Sequence, residues 1–160
     1  NNKDKIADAT KCCSLYKKYN DSDSFNLEHI IPVSWNVNGE VYDLVNIRLS
    51  LKEENSKHND NGYGFSKHST STITYYEPDK KYQGDIARVV FYMYATYPSL
   101  RDTIDAKCNM KDLAIWAIRD PISKDEKKLY DNIYNFKYNN EILGYRNMFI
   151  ERPRYSYVFK

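Results

Sequence analysis

The chain has 160 residues, a length that fits one domain with a sizeable core. Its net charge of +2 gives no reason by itself to expect nucleic-acid binding, and no apolar run is long enough to span a membrane. Three cysteines, Cys12, Cys13 and Cys108, include no C-x-x-C pair, so a structural zinc knuckle has little support. A disulfide between Cys108 and either of the other two stays open. We expect a single domain over residues 1–160 and a monomer without a membrane partner.

The first part of the chain alternates helix and strand signals. Apolar residues spaced three and four apart predict a helix over residues 4–19. A strand over residues 25–31 should end at Pro32, because proline cannot donate to a strand ladder. A turn at residues 36–39 and a second extended segment over residues 41–49 follow.

A helix should come directly after the second extended segment. Ser50 and Glu53 have the spacing of a capping box, which predicts a helix that ends at about Asn59. The predicted local order over residues 25–59 is therefore strand, turn, strand and helix. Residues 60–83 read as a loop because glycine, serine and threonine are frequent there.

The second half reads as mostly helical. Helical periodicity predicts a helix over residues 84–97, and Asn109 should cap another that runs to Arg119. A second capping box, at Ser123 and Glu126, opens a helix to about residue 137. The segment from Gly144 to the end reads as irregular. Its basic residues could hold phosphates, and the 16 tyrosines of the chain could stack on bases or simply reflect composition.

Glu28, His29 and Asn55 are the residues whose chemistry points to a function. Phosphodiester hydrolysis needs a base that takes a proton from water and a charge that neutralises the phosphoryl oxygens. A histidine titrates near neutral pH, and Mg²⁺ prefers a few oxygen ligands from the protein, such as a carboxylate and an amide. Glu28, His29 and Asn55 could supply these groups.

The adjacency of Glu28 and His29 raises a geometric difficulty. Neighbouring residues of a regular strand point to opposite faces, so one site needs a bulge or must straddle the strand end. The alternative without a functional site is a glutamate on the surface beside a histidine that is hydrogen-bonded in the core. A zinc site built from His29, His58 and a cysteine is another, although no ligand spacing supports it.

Several short segments together resemble a known family. In chain order they are FNLEHIIPVSW at 25–35, DLVNI at 43–47, NSKHN at 55–59, GDIAR at 84–88, FYM at 91–93, Trp116, DPIS at 120–123 with Glu126, and GYRNMFIERP at 144–153. This order resembles the endonuclease I family of non-specific nucleases, which belongs to the ββα-metal (His-Me finger) superfamily. The resemblance implies an α+β fold whose ββα-metal core covers about residues 25–59, with helices packed around it.

The resemblance also implies residue roles. His29 would be the general base, and Glu28 and Asn55 would hold one Mg²⁺, a site that Mn²⁺ or Ca²⁺ could also occupy. Asn46 would hold the two extended segments in register, as structural support. Arg146 is a candidate for contact with the scissile phosphate, because a planar guanidinium matches two phosphate oxygens.

The expected activity is Mg²⁺-dependent hydrolysis of DNA and also of RNA, with little sequence preference. The family resemblance implies that cleavage leaves 5′-phosphate and 3′-hydroxyl ends. The family resemblance further implies a secreted or extracytoplasmic protein. Two alternatives remain: an HNH-type site-specific DNA endonuclease, and a non-catalytic module that binds nucleic acid. Where the family's helix motif usually carries an arginine after the metal-binding asparagine, this sequence has Lys57 and His58.

Overall fold

The computed structural model describes residues 25–35, 39–138, 141–142 and 145–160. The helix predicted over residues 4–19 lies outside these ranges, as do Cys12, Cys13 and residues 36–38 of the predicted turn.

Two antiparallel strands and the helix that follows them form the first unit of the fold. Strand β1 (Phe25–His29) pairs with β2 (Ile47–Leu51) in a regular register from Phe25 opposite Leu51 to His29 opposite Ile47. Helix α1 (Lys52–His58) begins immediately after β2 and contacts both strands. The strand, strand, helix order predicted for this part of the chain is therefore present, and the ladder between the two strands contains no bulge.

The segment before β2 differs from the prediction of an extended chain over residues 41–49. Its first part forms two 3-10 turns, Gly39–Tyr42 and Leu44–Asn46. Asp43 explains the second turn, because its Oδ1 accepts a hydrogen bond from the Val45 amide at 2.8 Å and so caps it. A side chain that bonds to the local backbone competes with strand pairing. The strand prediction rested on the alternation of apolar residues, which does not reveal such a bond.

The predicted capping box at Ser50 is wrong, although the helix exists. Ser50 is a buried residue of β2 opposite Asn26, and its hydroxyl donates to the Leu51 carbonyl at 3.1 Å. Leu51 precedes the first turn of α1 and makes no side-chain capping bond. The helix starts one residue later than the capping box requires, so Leu51 occupies the N-cap position and the Ser50 hydroxyl is bound to the Leu51 carbonyl instead.

Helices dominate the rest of the described chain. They are α2 (Lys80–Thr96), α3 (Arg101–Lys107), α4 (Met110–Arg119), α5 (Lys124–Asn135) and α6 (Met148–Glu151). Two short strand pairs accompany them: β3 (Gly62–Tyr63) runs parallel to β4 (Tyr75–Tyr76), and β5 (Lys137–Tyr138) antiparallel to β6 (Glu141–Ile142). Further 3-10 turns lie at Val33–Trp35, Ser66–His68, Pro98–Leu100 and Pro153–Phe159. The fold is α+β, as predicted.

The other two predicted helix caps, at Asn109 and Ser123, are present. Asn109 and Ser123 accept hydrogen bonds from the amides of Asp112 and Glu126, at 3.3 Å and 3.0 Å. Helix α2 instead begins four residues before the predicted start, so Gly84 lies inside it. A Cβ on Gly84 would lie 2.1 Å from the Asp120 carbonyl oxygen, so glycine here allows close packing rather than a helix start.

The core surrounds α2, whose residues from Ile86 to Met93 are all buried. Buried apolar side chains from the segment after β1 and from α3, α4, α5 and α6 pack into the same cluster. Among the described residues, no helix has the length and apolar character needed to cross a membrane.

A buried cluster of charges joins α2 to α5. Arg88 binds both carboxylate oxygens of Glu126, at 2.7 Å and 2.8 Å, and one oxygen of Asp85 at 3.0 Å. Arg88 also donates to the Asp120 carbonyl at 2.8 Å. Two acidic side chains thus share one guanidinium. Burial, and then the proximity of Glu126, raise the pKa of Asp85 to about 8.

Replacement of Arg88 should destabilise the protein strongly. Arg88→Met leaves the buried Glu126 carboxylate without its cation, and breaking a buried pair in this way costs about 3–5 kcal/mol. Arg101→Met is the matched control, because Arg101 is exposed and should change the free energy of unfolding by less than about 0.5 kcal/mol. Urea unfolding measures both variants. Equal stabilities would contradict a bracing role for Arg88.

The stability should also depend on pH through Asp85. Its folded-state pKa lies above the unfolded value, so the folded protein binds the extra proton. The stabilisation is complete below an unfolded pKa of about 4 and is lost as pH rises towards 8. One proton corresponds to at most about 1.4 kcal/mol per pH unit. Urea unfolding from about pH 6 to 8 should show this loss in the wild type and a flatter profile in Asp85→Asn. Parallel profiles would contradict it.

Candidate active site

Helix α1 lies across the face of β1 that carries Asn26 and Glu28. These two side chains share a face because residues two apart in a strand point the same way. From the helix, Asn55 Nδ2 donates to Asn26 Oδ1 at 2.9 Å and to the Leu27 carbonyl at 3.3 Å. One turn later, His58 Nδ1 lies 2.5 Å from Glu28 Oε1. The fold therefore brings Glu28 and Asn55, 27 positions apart in the numbering, to the same face of one strand.

The orientation of the Asn55 amide follows from its partners. The Leu27 carbonyl can only accept a hydrogen bond, so the nitrogen of the amide must face it. Both hydrogen bonds of the side chain are donated by that nitrogen. The carbonyl oxygen of Asn55 points away from these two partners and is available as a neutral oxygen ligand.

Glu28 is a buried carboxylate, with 1% of its surface exposed. Its Oε1 is bound to His58, whereas Oε2 is buried and has no hydrogen-bond partner among the described residues. Burial raises the pKa of Glu28, and the hydrogen bond with His58 opposes this rise. An unpartnered buried oxygen is costly and rare. A cation bound to Oε2 would satisfy it, so the residues present fit a site for a hard metal ion.

His29 is the last residue of β1 and points away from the Glu28 face, because the register is regular up to this position. The ring is partly exposed and meets the edge of Tyr42, with ring centroids 5.7 Å apart. Nε2 itself is buried and has no hydrogen-bond partner within the described chain. Burial lowers the pKa of His29, so the imidazole is neutral near neutral pH. A site shared by Glu28 and His29 must straddle the end of the strand, since no bulge turns the two side chains together.

Asn46 holds the chain just beyond β1. Its Oδ1 accepts from the Ile31 amide at 2.7 Å, and its Nδ2 donates to the carbonyls of Ile31 and Val41, at 3.1 Å and 2.8 Å. The backbone carbonyl of Asn46 also accepts from the Ile30 amide at 2.9 Å. These bonds connect the segment after His29 to the 3-10 turns that lead into β2.

Arg146 lies on the exposed segment before α6. Its guanidinium pairs with Glu151 at 2.7 Å and stacks over the Tyr134 ring, 4.0 Å from the centroid. A cleft of about 260 Å³ lies beside it, with Lys127 on its wall. Among the described residues, the contacts of Arg146 are thus made with α5 and α6 rather than with Glu28, so the structure shows no approach of Arg146 to the β1 face.

Two further residues of this region are buried and bonded: His58, which the sequence analysis considered only as a possible zinc ligand, and Arg48, to which it gave no role. His58 is fully buried as the partner of Glu28, and Arg48 is buried with hydrogen bonds to the carbonyls of Val45 and Ile47 and to the Tyr130 hydroxyl. The position of His58 three residues after Asn55 is a usable signal, because residues three apart share a helix face.

A zinc centre finds no support in the described part of the chain. Residues 25–35, 39–138, 141–142 and 145–160 contain no group of three His, Cys, Asp or Glu side chains arranged around a common point. His58 is engaged with Glu28, on the face opposite to the one that carries His29. The oxygens of Glu28 and Asn55 suit a hard cation better than zinc.

Comparisons with known proteins identify the family. Neither the curated proteins nor the solved structures contain a significant match to this chain. The family model described as Endonuclease I matches residues 2–154, which include strands β1 and β2, helix α1 and the region of Arg146. The chain therefore belongs to the endonuclease I family and is a nuclease of the endonuclease type, whose substrate is nucleic acid.

Proposed function

We propose that this protein is a non-specific endonuclease that hydrolyses phosphodiester bonds in DNA and RNA with one divalent cation, Mg²⁺. Glu28 and Asn55 hold the ion and His29 acts as the general base. The observation that carries the proposal is the buried Oε2 of Glu28, which has no hydrogen-bond partner in the part of the chain that the structure describes and lies on the strand face that Asn55 also reaches. The proposal includes a single nuclease domain and a monomer, and also export, which the family resemblance implies.

The two ligands suit Mg²⁺ because they are few and hard. Glu28 supplies one charged oxygen and Asn55 one neutral oxygen, which leaves the remaining positions of an octahedron for water and substrate phosphate. When bound, the ion would neutralise the charge that develops on the phosphoryl oxygens and stabilise the leaving oxygen. The burial of Glu28 strengthens its attraction for a cation, since the dielectric constant away from water is low.

His29 supplies the proton acceptor of the reaction. Its neutral ring has a nitrogen, Nε2, that is buried and has no hydrogen-bond partner among the described residues. A local opening that admits water to Nε2 would let this nitrogen take a proton from the attacking water. The water oxygen bonds to phosphorus while the bond from phosphorus to the 3′ oxygen breaks. The departing 3′ oxygen takes a proton from water, and the products are a 5′-phosphate and a 3′-hydroxyl. The position of His29 at the end of β1 places its ring where the strand pairing stops.

Arg146 remains a candidate for the phosphate contact. Its guanidinium is exposed, and its present partner, Glu151, is exposed as well. A surface ion pair of this kind contributes about 0–1 kcal/mol, so a phosphate can compete with Glu151 for the guanidinium. The stack on Tyr134 would hold the side chain near α5 in either state.

Removal of the general base should reduce cleavage strongly. His29→Ala should lower the rate of plasmid cleavage in Mg²⁺ by about a hundredfold or more, because general base catalysis contributes that much. His68→Ala is the matched control: His68 is an exposed histidine paired with Asp112, and its loss should leave the rate nearly unchanged. Near-full activity in His29→Ala would refute the assigned base.

Removal of the cation should stop cleavage without abolishing all nucleic-acid binding. Excess EDTA should prevent degradation of plasmid DNA and of RNA, and added Mg²⁺ should restore it. Glu28→Gln should need a higher Mg²⁺ concentration for half-maximal rate, whereas Glu53→Gln, at an exposed position of α1, should not.

The alternatives predict different results in the same assay. A protein that only binds nucleic acid would be indifferent to EDTA and would cut nothing. An HNH-type site-specific enzyme would give defined bands from a long DNA rather than a smear. Either result would replace the proposed function.

A further inference from the structure

Glu28 makes a buried contact with His58, a residue that has no role in the proposed reaction. His58 has none of its surface exposed, and its ring stacks on Tyr63 with centroids 4.6 Å apart and an angle of 22° between the planes. Tyr76 packs against the same ring at 5.2 Å. The imidazole therefore has one fixed orientation, in which Nδ1 faces Glu28 Oε1 at 2.5 Å.

The contact made by Nε2, the second ring nitrogen of His58, shows that this nitrogen carries a hydrogen. Nε2 is 3.0 Å from the Asn61 carbonyl oxygen, and a carbonyl oxygen can only accept a hydrogen bond. Nε2 must therefore carry a hydrogen. The turn after α1 maintains this contact, because the backbone amide and the side-chain Nδ2 of Asn61 both donate to the His58 carbonyl, at 3.1 Å and 3.0 Å.

The same reasoning determines the contact with Glu28. A distance of 2.5 Å between two heteroatoms without a hydrogen would be repulsive, so a hydrogen lies between Nδ1 and Oε1. This bond occupies Oε1 and leaves Oε2 as the oxygen that has no partner among the described residues. The ring thus decides which of the two carboxylate oxygens of Glu28 is free.

We propose that His58 is a positioning residue that orients the Glu28 carboxylate so that Oε2 is presented to the cation. This inference rests on the proposed function, because it assumes that Glu28 holds the ion. Hydrogen-bond partners of metal ligands restrict ligand orientation in many proteins, and their mutation lowers metal affinity about 10–100-fold. Helix α1 would then contribute both a ligand, Asn55, and the group that orients the other ligand.

If His58 only stabilised the fold, metal affinity would follow stability and not the bond to Glu28. Two substitutions distinguish this role from positioning of Glu28. The side-chain nitrogen of asparagine lies about where Nδ1 of histidine lies, and that of glutamine about where Nε2 lies. His58→Asn therefore keeps a donor for Glu28 and loses the bond to Asn61. His58→Gln keeps the bond to Asn61 and loses the donor for Glu28. Each variant gives up one buried hydrogen bond, so the two should have similar melting temperatures.

The experiment measures Mn²⁺ binding to the full chain without nucleic acid, from the loss of the electron paramagnetic resonance signal of free Mn²⁺. The Kd of His58→Gln should rise at least about tenfold above the wild-type value, and that of His58→Asn by less than about threefold. Circular-dichroism melting of both variants checks that stability does not explain the difference.

Each other outcome is decisive as well. Equal Kd values in the wild type and His58→Gln, or equal losses in both variants, would overturn the positioning role while the metal site itself stood. If the wild type bound no Mn²⁺, the proposed metal site would fail, and the positioning role with it. Loss of Mn²⁺ binding in Glu28→Gln as well, with binding retained in Glu53→Gln, would attribute the measured site to Glu28.

Discussion

A carboxylate removed from water must find partners, and the Glu28 side chain imposes this requirement on the first unit of the fold. The residue sits in a strand whose continuation, Ile30 and Ile31, is fully buried. Helix α1 meets the requirement because it starts directly after β2 and crosses the strand, so that His58 lies against Glu28 Oε1. A loop between β2 and α1 would displace His58 from this position and leave Oε1 of the carboxylate without this partner.

The same short helix accounts for the second oxygen of the candidate site. Asn55 precedes His58 by one turn, a rise of about 4.5 Å. Along β1, Asn26 precedes Glu28 by about 6.6 Å. The two spacings are close enough for the helix residues to meet successive residues of one strand face, Asn55 against Asn26 and His58 against Glu28. Seven helical residues are therefore sufficient to serve both positions.

Hydrogen bonds from side chains also attach this unit to the helical part of the protein. Asp43 caps a 3-10 turn with one carboxylate oxygen, and its other oxygen accepts from the hydroxyls of Tyr92 and Tyr97, at 2.8 Å and 2.7 Å. Arg48 of β2 donates to the Tyr130 hydroxyl at 2.6 Å, which joins the strand to α5. Tyrosine hydroxyls at the edge of the core thus connect the polar turns around β1 and β2 to the main helices.

The sequence by itself determined what depends on near neighbours. Asn109 and Ser123 cap their helices as predicted, because a cap needs only a backbone amide two or three residues away. The order strand, strand, helix also follows from short motifs in series. The tertiary structure decided what depends on distant partners. The ladder placed Ser50 in a strand, close packing on Asp120 placed Gly84 inside α2, and the fold joined His58 to Glu28, 30 residues away. Such contacts are selected by the packing of the whole core; of the three, only the His58 contact has a local signal, its position three residues after Asn55 on the same helix face.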